Sequence, residues 1–185
     1  MTEGHHLVLG SLTDCLTGRI LPDTHDERYR QKIARYLLGR CGFAVAEIDA
    51  SRMLEVVAGE KKASLPVGFI VSLEGVAAMV VRYGPGSMVT RHRPGRALCL
   101  VLAPHEIPVA VVTNGKDVDV LSGRTGEVMG RGFEAIPTRH ALARLLSEKK
   151  RVWVPDGHRE LAHRLLYAFE VDGSCPCDTS ICKLD

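Results

Sequence analysis

The chain has 185 residues, of which 45% are hydrophobic and 25% are charged, and its formal net charge is +2. This composition is typical of one globular domain; it excludes extended disorder and a strongly basic protein, so any nucleic-acid contact would come from a local patch. No apolar run approaches the roughly 18–20 residues that span a bilayer, and the start lacks a secretory pattern. We therefore expect a cytoplasmic protein without membrane contact, whose six cysteines are free, metal-bound or redox-active rather than paired in disulfides.

The first predicted element is a helix that begins near Thr24. Thr24 and Glu27 have the spacing of a capping box, in which each side chain would accept a hydrogen bond from the other residue's amide. Apolar residues then recur at helical spacing from Tyr29 to Leu38, and Gly42 suits a left-handed cap. The pattern predicts a helix of about 15–18 residues.

A β-hairpin is the clearest feature of the middle of the chain. We predict a short strand at Met53–Ala58, a polar turn at 59–62, and then two strands, Phe69–Leu73 and Val76–Tyr83, joined at Glu74 and Gly75. The second of these strands is almost continuously apolar, which is typical of a strand covered on both faces.

Helices and strands alternate through the rest of the chain. Pro94 is predicted to lie in the first turn of a helix that ends before Pro104, and the Asn114-Gly115 turn follows a buried strand at 107–113. The remaining predictions are a return strand at 118–121, a short strand after residue 126, a helix capped by Thr138 that runs to about residue 149, a last helix capped by Asp156, and Trp153 packed between the last helices and the body. This order predicts an α/β sandwich with a central mixed β-sheet flanked by helices.

Several short motifs occur in a specific order along the chain, although each is weak alone. They are Leu16-Thr17-Gly18, Pro22-x-Thr24-x-Asp26-Glu27, the segments 30–33 and 36–38, Gly42-Phe43, the hairpin, and the segment 110–115 that ends in Thr-Asn-Gly. In this order they resemble the N-terminal domain of type I restriction enzyme R subunits, a branch of the PD-(D/E)XK nuclease superfamily, over residues 12–146. The resemblance implies a restriction-endonuclease-like fold, with residues 1–170 as that domain and 171–185 as a cysteine-containing tail.

The resemblance also implies where catalytic groups should be. In that family the first hairpin strand opens with a metal-binding Asp and the second ends in Glu-x-Lys; matching the hairpin places Gly68, Val81 and Tyr83 at these positions. None of the three supplies the carboxylate that Mg²⁺ prefers or the charged amine of a lysine. We therefore expect a catalytically degenerate nuclease domain. The alternative is an active metal-dependent endonuclease whose acids are displaced to Glu55 or Glu60.

Basic residues cluster beside the end of the second hairpin strand. Arg82, Arg91, Arg93 and Arg96 fall within fifteen positions and could contact phosphates of DNA. A solvated loop and the first turn of a helix would give the same cluster without any ligand. On the first interpretation the domain contacts DNA or assembles with a protein partner.

The last segment contains three cysteines within eight residues. Cys175, Cys177 and Cys182 could give three ligands to Zn²⁺, although their spacing is not that of a standard finger. They could also be a reduced tail with incidental thiols. The zinc interpretation makes a second alternative function possible, a zinc-stabilised scaffold that assembles as a homodimer.

Overall fold

The computed structural model describes residues 7–84, 86–148, 150–173 and 181–184. Its helices are α1 (His25–Gly39), α2 (Val89–Val101), α3 (Arg139–Glu148) and α4 (Asp156–Leu166), and α4 continues into a π-helical turn, Tyr167–Val171. Its strands are β1 (Ser11–Thr13), β2 (Ile20–Pro22), β3 (Ile48–Asp49), β4 (Met53–Ala58), β5 (Lys61–Pro66), β6 (Phe69–Leu73), β7 (Val76–Tyr83), β8 (Val109–Thr113), β9 (Val118–Ser122), β10 (Val128–Arg131) and β11 (Cys182–Leu184). None of the described helices is long and apolar enough to cross a membrane.

A mixed sheet forms the centre of the described chain, with strand order β10-β9-β8-β7-β6-β3. β7 and β8 are parallel and are connected through α2, whereas the other neighbouring strands are antiparallel. One face of this sheet packs against α1 and α3, and the other packs against α2 and α4. The predicted α/β sandwich is therefore confirmed.

A second sheet, with order β11-β5-β4, extends the layer that contains α2 and α4. Val56, Ala63 and Leu65 are fully buried and join its inner face to that layer. β11 pairs with β5, so the residues at the end of the described chain contribute a strand to this sheet. A separate hairpin, β1 with β2, precedes α1.

Local sequence signals place α1 and the central hairpin correctly. The Thr24 hydroxyl accepts a hydrogen bond from the Glu27 amide at 3.1 Å, and Gly42 has the expected positive φ of 77°. The second half of the predicted capping box is replaced, because the Glu27 carboxylate accepts hydrogen bonds from Arg30 and Gln31. Both hairpin strands and their turn lie where the sequence predicts them.

Two predictions for the middle of the chain are wrong for identifiable reasons. The predicted polar turn at 59–62 is too long, since Lys61 already begins β5; the period-two burial of Ala63 and Leu65 was the missed signal. α2 begins at Val89, so Pro94 lies inside the helix and not in its first turn. Pro94 is buried there, so packing of the helix outweighs the missing amide hydrogen bond and the crowding by the proline ring.

The start of α4 also differs from the prediction. Pro155 is the N-cap and Asp156 is the first helical residue, where a carboxylate still faces the positive end of the helix dipole. Trp153 does not pack the last helices onto the body: it is 71% exposed. Its backbone pairs with His105, which directs the indole ring outward from the surface.

Candidate functional site

The two positions expected to carry the family's acids lie side by side at one edge of the central sheet. Phe69 pairs with Val81 across the hairpin, so Gly68 lies beside Val81 and Arg82 where β6 begins and β7 ends. β8 runs parallel to β7, so its end, Thr113, lies at the same edge. We call this part of the molecule the strand edge. Antiparallel pairing of β6 and β7 thus brings together two positions that are thirteen residues apart in the sequence.

Backbone geometry at Gly68 leaves no room for a side chain. Its φ is +103°, a region that residues other than glycine rarely adopt. A Cβ atom built there would overlap the carbonyl oxygen of Val81. Any carboxylate at this position would therefore require the hairpin to change its conformation.

The other two positions are occupied by residues with structural contacts. Val81 is fully buried in the core beneath α1 and α3. The hydroxyl of Tyr83 donates a hydrogen bond to Asp26 at 2.8 Å, and its ring stacks on Tyr29 with centroids 5.5 Å apart. Burial, and then the neighbouring Asp26, raises the pKa of Tyr83 above its usual value, so the phenol remains a neutral hydrogen-bond donor.

A polar cluster that sequence reasoning missed lies on the α1 side of the strand edge. Asp14 accepts hydrogen bonds from Gln31 at 3.1 Å and from the Leu16 amide at 2.9 Å, and it pairs with Arg30 at 2.9 Å. Burial opposes ionisation of Asp14, but the Leu16 amide, Gln31 and Arg30 together hold its pKa below the usual range. The missed signal was Gln31, a polar residue four positions after Glu27 on the buried side of α1.

The displaced-acid candidates lie away from these positions. Glu55 is exposed on β4, opposite Ser64, and Glu60 is exposed in the turn between β4 and β5. That turn is at the opposite end of the β4–β5 hairpin from Pro66, roughly 16 Å away at about 3.3 Å per strand residue. Within the described ranges, no cluster of three or more His, Cys, Asp or Glu side chains is arranged to hold a metal ion.

The four arginines proposed from the sequence have different surroundings. Arg82 pairs with Glu170 at 2.6 Å and donates to the Pro66 carbonyl, and Arg91 lies 3.6 Å from the same carboxylate. Arg96 donates to the Arg124 carbonyl at 2.9 Å. Arg93 is exposed, and the structure gives it no partner among the described residues.

Tertiary structure adds two arginines beside α2. Arg124, in the turn between β9 and β10, lies 3.4 Å from Glu106; Arg131, on β10, is 78% exposed and lies 3.5 Å from Asp119. Asp119 also contacts the His92 ring at 2.7 Å, which connects β9 to α2. We define the α2 surface as His92, Arg93, Arg96, Arg124 and Arg131.

The thiols divide into buried and exposed groups. Cys41 and Cys99 are buried and Cys15 is half-buried, as expected for small apolar side chains. Burial raises the pKa of Cys41 to about 11, and it raises the pKa of Cys99 further still. Cys182 is exposed on β11. Cys175 and Cys177 lie outside the described residues, so the zinc site remains a prediction.

The family model for the type I restriction enzyme R protein N terminus matches residues 25–137. The chain belongs to this family. The match begins at α1 and includes the hairpin, α2 and the strands that follow, whereas α3, α4 and β11 lie beyond it. No curated protein and no solved structure matches the chain.

Proposed function

We propose that this member of the family is a restriction-endonuclease-like domain that contacts nucleic acid without cleaving it. The conformation of Gly68 carries the first half of this proposal. A metal-binding Asp is what the family resemblance implies at this position, yet φ is +103° and a Cβ atom would meet the Val81 carbonyl oxygen. The close approach of the two hairpin strands at this point therefore depends on glycine, and the hairpin in this conformation has no space for an Asp side chain.

A magnesium ion does not fit the residues at the strand edge. Magnesium requires carboxylate or other hard oxygen ligands in near-octahedral geometry. Gly68 and Val81 offer no side-chain oxygen, and the hydroxyl of Tyr83 is engaged with Asp26. On the α1 side, the Asp26 carboxylate accepts a hydrogen bond from Tyr83, and the Asp14 carboxylate is engaged by Gln31, Arg30 and the Leu16 amide.

The α2 surface supports the second half of the proposal, contact with nucleic acid. Arg93 and Arg96 are three residues apart and therefore adjacent on α2, and the fold places Arg124 next to Arg96. Arg131 is highly exposed, and its one ion pair within the described part of the chain is the long contact with Asp119. Phosphate contacts from such arginines give affinity that does not depend on sequence and that falls with salt.

Fluorescence anisotropy with labelled duplex and single-stranded DNA across a salt series would test the proposal. We expect salt-sensitive binding, with the DNA still intact on a gel after incubation with Mg²⁺. The Arg93→Ala, Arg131→Ala double variant should bind about ten-fold more weakly at low salt, with a salt slope lower by roughly two contacts.

Arg144→Ala is the control for the loss of one exposed positive charge. Arg144 is exposed on α3, in the layer on the other side of the sheet, and its loss should change affinity by less than about two-fold. Absence of binding at low salt would overturn the proposal and favour assembly with a protein partner. Magnesium-dependent cleavage that disappears in Glu55→Gln or Glu60→Gln would instead establish a nuclease with displaced acids.

A further inference from the structure

The N-terminus of α2 follows the end of β7 closely in the chain. β7 and β8 are parallel and α2 connects them, so Gly84 and the start of α2 lie at the carboxyl end of the parallel pair. Ligands of open α/β sheets bind outside these strand ends, and the amides of a helix N-terminus attract anions. No acidic residue occupies the first turn of α2.

Two guanidinium groups converge at this end of the parallel pair. Arg82 extends from the penultimate position of β7, and Arg91 extends from the first turn of α2. The Arg91 guanidinium lies against Gly84, where a Cβ atom would be only 3.0 Å from its central carbon. Glycine at this position therefore allows Arg91 to approach the end of β7.

An anion already occupies the space between the two arginines, namely the carboxylate of Glu170. Oε2 is 2.6 Å from Arg82 and Oε1 is 3.6 Å from Arg91, and only 4% of the side chain is exposed. The distance from Oε1 to Arg91 is longer than a hydrogen bond, and Oε1 is buried without a hydrogen-bond partner among the residues that the structure describes. The Glu170 carboxylate thus forms a close ion pair with Arg82 but only a distant one with Arg91.

Glu170 lies in a different kind of secondary structure from the strand and the α-helix that carry Arg82 and Arg91. It lies in the π-helical turn Tyr167–Val171, in which the Asp172 amide bonds to the Tyr167 carbonyl at 3.0 Å. π-helical turns are rare and occur frequently at functional sites. Arg82 and Arg91 are inside the family match, and Glu170 is beyond it.

We propose that Arg82 and Arg91 form a binding site for a backbone phosphate of nucleic acid, and that Glu170 is its internal competitor. A phosphodiester carries one negative charge on two terminal oxygens, as a carboxylate does, so one can replace the other without changing the charge of the site. This inference rests on the proposed function and adds its regulation. The affinity for nucleic acid is lower while the Glu170 carboxylate is paired with the two arginines.

Glu170→Gln is the direct test, because it removes the competing charge and retains the shape and an oxygen that can accept from Arg82. We expect duplex DNA to bind about five-fold more tightly at low salt, with a salt dependence steeper by roughly one phosphate contact. Glu160→Gln, on the exposed face of α4, makes the same change in net charge and should leave affinity within about two-fold of wild type. Adding Arg91→Ala to Glu170→Gln should abolish the gain.

Hydrogen exchange on the wild-type protein gives a second measurement that does not depend on the variant's folding. Saturating duplex DNA should accelerate amide exchange several-fold across 167–171, because the segment loses its contact with Arg82, and should leave α3 unchanged. Unchanged or slower exchange there would overturn the inference.

The two proposals fail in different ways. If wild type binds DNA and Glu170→Gln behaves like Glu160→Gln, the inference alone is overturned. If neither wild type nor Glu170→Gln binds DNA at low salt, the inference and the proposed function both fall.

Discussion

Arg82 and Tyr83 are neighbours in β7, yet they belong to two different environments. Successive side chains of a strand face opposite sides of the sheet, so Tyr83 faces α1 and Arg82 faces the layer of α2 and α4. On the α1 side, Tyr83 donates to Asp26, and the carboxylate of Asp14 is saturated by nearby donors. On the other side, Arg82 and Arg91 share one carboxylate, that of Glu170.

The difference shows that the two sides of one strand edge use their charged groups in different ways. Polar groups on the α1 side are neutralised by one another, so that side supplies hydrogen bonds and stability. Arginines on the α2 side outnumber the acids that contact them, which leaves positive charge for a ligand. Four variants test this division, and they are given from the largest expected effect to the smallest.

Arg82→Ala should cause the largest loss of stability. It leaves the Glu170 carboxylate buried with only the distant contact to Arg91, and breaking a buried pair in this way costs about 3–5 kcal/mol. Chemical denaturation measures the loss. Arg164→Ala removes an exposed pair with Glu160 and should cost no more than about 0.5 kcal/mol. Equal losses in the two variants would contradict the division.

Gly68→Ala should destabilise the strand edge by about 2–4 kcal/mol, since strain from positive φ adds to the overlap with the Val81 carbonyl. Gly59→Ala separates these two causes: its φ is +65° and nothing lies within 4 Å of its Cβ, so only about 1–2 kcal/mol is expected. Urea unfolding of both variants measures the difference. A Gly68→Ala protein as stable as Gly59→Ala would show that the position can accept a side chain.

Asp14→Asn should destabilise the α1 side in a manner that depends on pH. The pKa of Asp14 in the folded protein lies below its ordinary value of 3.8. The ionised carboxylate therefore stabilises the fold fully above pH 3.8, and this stabilisation is lost as the pH falls through the folded pKa. We expect a loss of about 1.5–3 kcal/mol at pH 7, which shrinks as the pH falls below 3.8. Unfolding curves at several pH values measure it.

Asp172→Asn provides the comparison for Asp14. Asp172 is exposed, and its distance of 3.9 Å from Lys183 is long for an ion pair. Its replacement should therefore change stability little at any pH. A loss for Asp14→Asn that persists undiminished at low pH would mean that the carboxylate's charge is not what stabilises the cluster.

Tyr83→Phe should have the smallest effect, a loss of about 0.5–1.5 kcal/mol for one hydrogen bond to Asp26. DNA affinity should stay within about two-fold of wild type, because Tyr83 faces α1 rather than the α2 surface. Thermal unfolding and anisotropy check the two expectations separately. A large loss of affinity with little loss of stability would place the nucleic-acid contact on the α1 side instead.

Much of the local structure could be predicted from the sequence because its signals are short in range. The Thr24 cap, the period of apolar residues in α1, and the alternation of strand and turn around Gly75 all act within a few residues. The predictions for Pro94 and Trp153 were wrong because they used short-range signals where long-range packing decides the outcome. A proline is tolerated inside α2, and Trp153 is held outward through its backbone, and both outcomes depend on the surrounding fold.

For the candidate site, too, some features follow from the sequence and others from the tertiary structure. The sequence by itself determined the family, and it shows that Gly68 and Val81 carry no carboxylate, because side-chain chemistry does not depend on folding. Only the tertiary structure decided which arginines remain available. Arg82 is neutralised by Glu170, 88 residues away, whereas Arg131 is brought beside α2 by strand pairing. Contacts at such separation follow from packing and not from local pattern, so the charge that a ligand meets is a property of the fold.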